Sequence, residues 1–353
     1  MKRKLLFTLL AALLCAGFNQ AAEKPNFLFI ITDDQAPNTI RALGNTEIIT
    51  PNLDRLVKQG TTFTHCFNQG SWSGAVCVAS RTMLITGQTV YRAPENKVYI
   101  DAWGQARGPL SVEKETAVKL WPEVFRDAAY RTFLTGKWHN SHAAILQGFT
   151  DGKAVGSGFY NTFEFAGQKS KDNPGYNRPT PENNSWNPWD PKFHGHWNPA
   201  VLDITGNGEM SEPYDHSIRI PFIISGPGIP AGKQIDDMIY MQSVYPTTCE
   251  LAGLEIPSSV EFASVKELAT GEKDNGGEGT IFGTYLTFQR MVRTETHKLI
   301  YYPNLDCYQL FDMVEDPDEI TDLSDEAAYS NVKQNLIEEL NQKRKHLGDG
   351  LLK

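Results

Sequence analysis

Cysteine is scarce, at five of 353 residues, so a disulfide-stapled scaffold is excluded and a buried core must hold the fold. Cationic excess is missing too. Lysine and arginine number 33 against 42 aspartates and glutamates, for a formal net charge of −9. That balance argues against nucleic acid as a partner, and it leaves anionic ligands to be captured by local cations, not drawn in from a distance. The apolar stretch Leu5 to Phe18 is too short to span a bilayer. There is no internal repeat, which sets aside solenoids and propellers.

What is present begins with a leader. Met1-Lys2-Arg3-Lys4 followed by Leu5–Phe18 has the basic and apolar regions of a secretory signal, with cleavage expected near Ala21 or Ala22. Residues 1–22 are thus read as a signal peptide and the product as secreted or periplasmic, without a membrane span. Loss of Lys2, Arg3 and Lys4 leaves 30 basic against 42 acidic residues, a formal charge of −12. Cys66, Cys77, Cys249 and Cys307 remain, enough for at most one intramolecular disulfide if Cys77 is chemical.

Asn26 to Ile31 is nearly all apolar, as in a parallel strand covered on both faces, and it stops at Thr32-Asp33-Asp34. Adjacent carboxylates at a strand end suit a hard divalent cation; a solvated turn is the other reading. Thr50 to Gly60 has helical spacing at Leu53, Leu56 and Val57, with Gly60 as its stop, and Thr61 to Phe67 reads as a strand. Thr116 to Ala128 predicts a helix and Tyr130 to Leu134 a strand, which runs into Gly136-Lys137-Trp138-His139. Lys137 and His139, at alternate positions of an extended segment, would face one way and contact a small anion; a surface lysine beside a packed histidine is the alternative.

From Gly148 to about Glu212 periodicity fades, and Pro, Asn, Gly, Trp and His dominate. Trp186, Trp189 and Trp197 could stack on sugars or simply pack under the loop. His194 and His196 read as a polar pocket sooner than a metal site. Ser217 to Gly228 is a strand ending in a tight turn, and Val244 to Leu254 a helix. Short runs between Thr280 and Met313 predict a small antiparallel sheet, and Asn331 to Leu347 an amphipathic helix. The division expected is an α/β domain over 23–256 and an α+β subdomain over 257–353.

Cys77-Val78-Ala79-Ser80-Arg81 opens a short helix that Gly87 ends. A thiol near a helix N-terminus beside an arginine reads as a nucleophile at an oxyanion site, or else as a small buried filler. Taken with the Asp33-Asp34 strand end, the TPNLDRL helix, GKWH, the IRIP strand with its GPG turn, and the segment Tyr308 to Glu319, this pentapeptide resembles the sulfatase family of the alkaline-phosphatase-like superfamily.

The resemblance implies an α/β sandwich with a central, mostly parallel sheet flanked by helices, plus a small C-terminal antiparallel sheet with a helix. It implies hydrolysis of sulfate esters, with a sulfated carbohydrate or aryl sulfate as substrate. Cys77 would be converted to formylglycine by a formylglycine-generating or anaerobic sulfatase-maturating enzyme, and one Ca2+ would sit on Asp33, Asp34 and residue 77. Arg81 would hold the nucleophile, and Lys137 and His139 the transferred group. Two departures are visible. Ala79 stands where proline most often follows the modified cysteine, and the stretch near 200–215 lacks the strand, helix and Asp-Asn pair that family members carry there, leaving Asp203 or Asn207 as remnants. A phosphodiesterase or phosphonate-type hydrolase of the same superfamily, and a non-catalytic relic with an anion- or glycan-binding surface, are the alternatives.

Overall fold

In the computed structural model, residues 24–33, 35–74, 76–96, 118–156 and 213–350 are described. The chain falls into two units, Met1–Ile31 and Thr32–Lys353. In the first, the apolar run expected as a strand forms none: Leu28 and Ile30 are 86% and 67% exposed. Apolar composition alone does not make a strand, because pairing needs a neighbour to take its backbone groups. The signal segment, Asp34, His194, His196, the three loop tryptophans, Asp203 and Asn207 lie outside the described residues.

The second unit opens with helix α1 (Pro51–Gln59) and strand β1 (Thr61–Phe67). Pro51 suits the first turn, where no intrahelical N–H is needed. Gly60 ends α1 in extended backbone, with φ −130°. Its need for glycine is spatial, since a Cβ there would collide with the carbonyl oxygen of Ile224. Strand β1 is the middle of a three-stranded sheet, antiparallel to β5 (Arg219–Ile224) and parallel to β6 (Lys233–Tyr240). Pro221 lies on the edge strand β5, where a missing donor is tolerated.

Strand β2 (Gly70–Ser71) pairs in parallel with β7 (Ile281–Tyr285) and so extends a meander of β7, β8 (Gln289–Arg293), β9 (His297–Tyr302) and β10 (Cys307–Asp312) into a five-stranded sheet. Adjacent residues of the meander go to opposite faces. Ile281, Met291, Ile300 and Phe311 join Phe67 and Met238 of the three-stranded sheet in one cluster, while Phe282, Val292, Leu299 and Leu310 pack with Leu336, Leu340 and Leu347 of the C-terminal helix (Ser330–Leu347). Burial of both faces explains why adjacent apolar pairs, Ile281-Phe282, Met291-Val292, Leu299-Ile300 and Leu310-Phe311, occur in these strands. This is the small antiparallel sheet with a helix that the sequence led us to expect.

Between β2 and the meander lie α2 (Val76–Thr86), α3 (Trp121–Asp127), β3 (Phe133–Lys137), α4 (His142–Gly148), β4 (Asp151–Gly156) and α5 (Val244–Leu251). Helix α3 starts later than its apolar spacing suggested, at the turn where Pro122 can sit and where Glu123 Oε2 accepts from Leu120 N at 3.1 Å. Strands β3 and β4 pair in parallel, a strand the low-periodicity stretch gave no sign of. The C-terminal helix is α6. Among the described residues no helix is long and apolar enough to cross a membrane.

Two buried charge clusters stitch these parts. Lys298, 0% exposed, reaches Asp215 Oδ1 at 2.5 Å and Glu319 Oε1 at 2.7 Å, and Arg293 Nε lies 3.2 Å from the same Asp215 oxygen. Burial raises the Asp215 carboxyl, but Lys298 and Arg293 outweigh it and hold the group below its usual range. Near the end of α6, Asp349 Oδ2 accepts from both Arg290 Nε and Arg344 Nε at 2.8 Å.

Candidate active site

Helix α2 is unusual in being buried all round after its first turn, since every residue from Val78 to Thr86 is buried, Ser80, Arg81, Thr82 and Thr86 among them. It is fixed at three places. Strand β2, directly upstream, hangs from the five-stranded sheet; Met83 packs into the core under α6; and Ile85 packs with Trp138 and Ala144. Gly70 makes the first attachment feasible, because at φ 86° a Cβ there would collide with Thr284 O.

Cys77 is half-buried in the first turn of α2, and Arg81 follows one turn later, so the two share a helix face. The first turn also offers N–H groups without intrahelical partners, which favour negative charge. Cys66 and Cys249 behave differently. Both are fully buried, burial pushes their thiols up (to about 12 for Cys249), and they serve as packing. No disulfide joins the four described cysteines.

Lys137 closes β3, and the chain then turns sharply. Gly136 has φ 85° and His139 φ 56°, so the segment is not the simple extended alternation that its sequence suggests. Trp138 turns inward to 5% exposure and donates from Nε1 to Ser141 O at 2.9 Å; Ser141 Oγ in turn caps α4 by accepting from Ala144 N at 3.2 Å. With Trp138 and Asn140 committed to the interior, Lys137 and His139 are left on the half-buried side.

There they meet α2 and Asp33. Arg81 Nη1 donates to Lys137 O at 2.9 Å, and Lys137 Nζ lies 2.5 Å from Asp33 Oδ2. His139 has its ring pKa lowered, first by burial and then by the Lys137 and Arg81 charges, with Asp33 opposing. It is therefore neutral near pH 7, and its buried Nδ1 has no hydrogen-bond partner among the described residues. The structure brings Asp33, Lys137 and His139 into one electrostatic neighbourhood with Arg81, which lies on the helix that carries Cys77. Sequence reading passed over Asn140 and Thr82, both 0% exposed, which join the two segments through a side-chain hydrogen bond of 2.9 Å. The one signal available was the place of Asn140 directly after GKWH.

A calcium ion takes six to eight oxygens. Among the described residues no three His, Cys, Asp or Glu side chains converge on a point, and the Asp33 carboxylate is paired with Lys137, so this part of the chain does not make up such a site.

Residues 25–203 match the Sulfatase family profile, and residues 211–346 match the profile described as N-sulphoglucosamine sulphohydrolase, C-terminal. An uncharacterized sulfatase of Schizosaccharomyces pombe is 34% identical over 131 residues, 35% of this chain and 22% of that protein. The N-acetylglucosamine-6-O-sulfatase of Bacteroides thetaiotaomicron is 28% identical over 237 residues, 57% of this chain and 39% of that protein. The matched stretch thus spans under two fifths of the length of either relative. The crystal structure of a putative sulfatase from Bacteroides thetaiotaomicron superposes with a TM-score of 0.68 over 93% of both chains at 19% identity, which establishes a shared fold.

Proposed function

Since this chain belongs to the sulfatase family, we propose that it hydrolyses sulfate esters of carbohydrates at the cluster of Cys77, Arg81, Lys137 and His139. The observation that carries the reading is the meeting of Arg81, one helical turn after Cys77, with Lys137 and a neutral His139. The sugar class rests on relatives such as the N-acetylglucosamine-6-O-sulfatase.

Converted to formylglycine, residue 77 would supply as its hydrate one hydroxyl to attack sulfur as the S–O ester bond breaks and the sugar oxygen leaves with a proton, and a second hydroxyl whose deprotonation would expel sulfate as the aldehyde reforms. The remaining work falls to unmodified side chains. Arg81, anchored through Lys137 O, presents a fixed cation to the diol, and the Lys137 ammonium faces the sulfuryl oxygens while Asp33 limits its freedom. The neutral His139 ring offers an N–H to a sulfate oxygen and a bare nitrogen for a proton, both roles that an imidazolium cannot combine. Charge held in place before reaction is what stabilises the developing anion. Asp33 and Asp34, with residue 77, are the proposed divalent-metal donors. The described residues do not complete that set.

The test is the mass of the Cys77 peptide from protein made in its native host, followed by sulfate release from 6-O-sulfated N-acetylglucosamine and from an aryl sulfate. Formylglycine at residue 77, with release abolished in Cys77→Ala, is expected. An unmodified thiol without sulfate release would overturn the reading, and faster turnover of an aryl phosphodiester would move the chain to phosphodiester hydrolysis.

A further inference from the structure

Thr82 Oγ1 lies 2.7 Å from Val78 O and 2.9 Å from Asn140 Oδ1, both as acceptors. A hydroxyl has one proton, so it cannot donate to both. Asn140 Nδ2, meanwhile, is buried without a partner among the described residues. A half-turn of the amide, which exchanges its nitrogen and oxygen in place, resolves the double donation and relieves the orphaned amine. Nδ2 then donates to Thr82 Oγ1, and Thr82 passes its own proton to Val78 O. What remains over is one N–H and the carbonyl oxygen, in place of an NH2 with both donors unpaired and a hydroxyl asked to donate twice.

The relay ends on Val78, the residue after Cys77. A second tie, Arg81 Nη1 to Lys137 O, joins the same two segments, so His139 is held between an anchored Lys137 and an anchored Asn140. Its backbone, at φ 56°, is one that residues other than glycine seldom adopt and that persists only when the surroundings impose it. We propose that Asn140 and Thr82 are a positioning pair, which clamps the His139 turn to the first turn of α2 and so sets the imidazole, Lys137 and Arg81 around one tetrahedral anion. This rests on the function proposed above. Neither residue touches the substrate.

The experiment is titration calorimetry of the full chain with inorganic sulfate, run well below the melting temperature, together with kcat and KM on the sulfated sugar. Asn140→Ala and Thr82→Val are each expected to weaken sulfate affinity about tenfold, the worth of one buried hydrogen bond. The double variant should lose no more than either single one, because the tie is a unit. Thr82→Ser, which keeps the hydroxyl, should stay within about twofold of the parent. Parent-like affinity in both Asn140→Ala and Thr82→Val would overturn the proposal and leave the sulfatase reading standing, as would additive losses. A parent chain that neither binds sulfate nor releases it would sink the sulfatase reading itself. Non-additive melting temperatures would then show a structural tie with no anion to serve, and the positioning role would fall with it.

Discussion

Replacing Lys298 by methionine is expected to cost about 3–5 kcal/mol of stability, because it removes one partner of a buried ion cluster and keeps the others. The stem still fills its space, so the loss is electrostatic. Asp215 retains Arg293 Nε at 3.2 Å, whereas Glu319 keeps the Asp215 backbone N–H at 2.6 Å and loses its ammonium at 2.7 Å. In the native protein the Glu319 carboxyl is already raised, first by burial and then by Asp215, with Lys298 opposing. Without Lys298 it rises further. A carboxyl whose folded pKa exceeds its unfolded one binds protons preferentially in the fold, so the variant regains stability as pH falls through that folded pKa. Melting from pH 8 to pH 5 should therefore show a deficit that shrinks on acidification, starting from about 6–10 °C at roughly 2 °C per kcal/mol. Adding Glu319→Gln should recover part of the loss at pH 8 and remove its pH dependence. A Lys298→Met protein that melts with the parent, or a deficit that stays constant or widens in acid, would refute the reasoning.

Three further outcomes follow from the same physics. Burial, then Arg219 and Arg293, push the His65 pKa down to about 4, so the folded ring stays neutral while the unfolded one protonates near 6.5. Stability is then lost as pH falls from about 6.5 to 4, and His65→Gln should flatten that limb by about 1 kcal/mol in urea titrations, allowing for solvent screening of a partly exposed ring. Asp349→Asn leaves Arg290 and Arg344, which share that carboxylate, without a counter-charge, and should cost about 2–4 kcal/mol by chemical denaturation. Gly60→Ala drives a methyl into Ile224 O and should lower stability by about 1–3 kcal/mol, despite the better helix propensity of alanine.

Legibility in the sequence followed the kind of information each part required. The meander and α6 could be read because their partners are local and their periodicity is strict: Ile281/Phe282 and Leu299/Ile300 alternate between two buried faces. Asn26–Ile31 had the same composition without the strand, since pairing depends on partners that composition does not specify. Cys77 and Arg81 stand out through their spacing on one helix, yet their relation to Lys137 is a contact across 56 residues of sequence, from Arg81 Nη1 to a backbone oxygen that carries no side-chain signature. The turn at His139 was illegible for a similar reason. Histidine does not announce a left-handed backbone, and the ties at Lys137 and Asn140 that impose it are tertiary. Gly60 was identified as a helix stop, but the cause is a neighbouring carbonyl on β5, not the local φ.

Because α2 is buried all round from Val78 onward, the residues that reach Cys77 and Arg81 through packing are core residues in the ordinary sense: Met83 under α6, Ile85 against Trp138. Repacking at these positions would shift the helix bodily and change the spacing between Arg81 and Lys137, even where the fold survives. Under the proposed function, tolerance to substitution in this core is therefore set by the reaction as well as by stability. In a library of conservative replacements at Met83 and Ile85, anion affinity should decline before the melting temperature does, a pattern of constraint radiating outward from one buried helix.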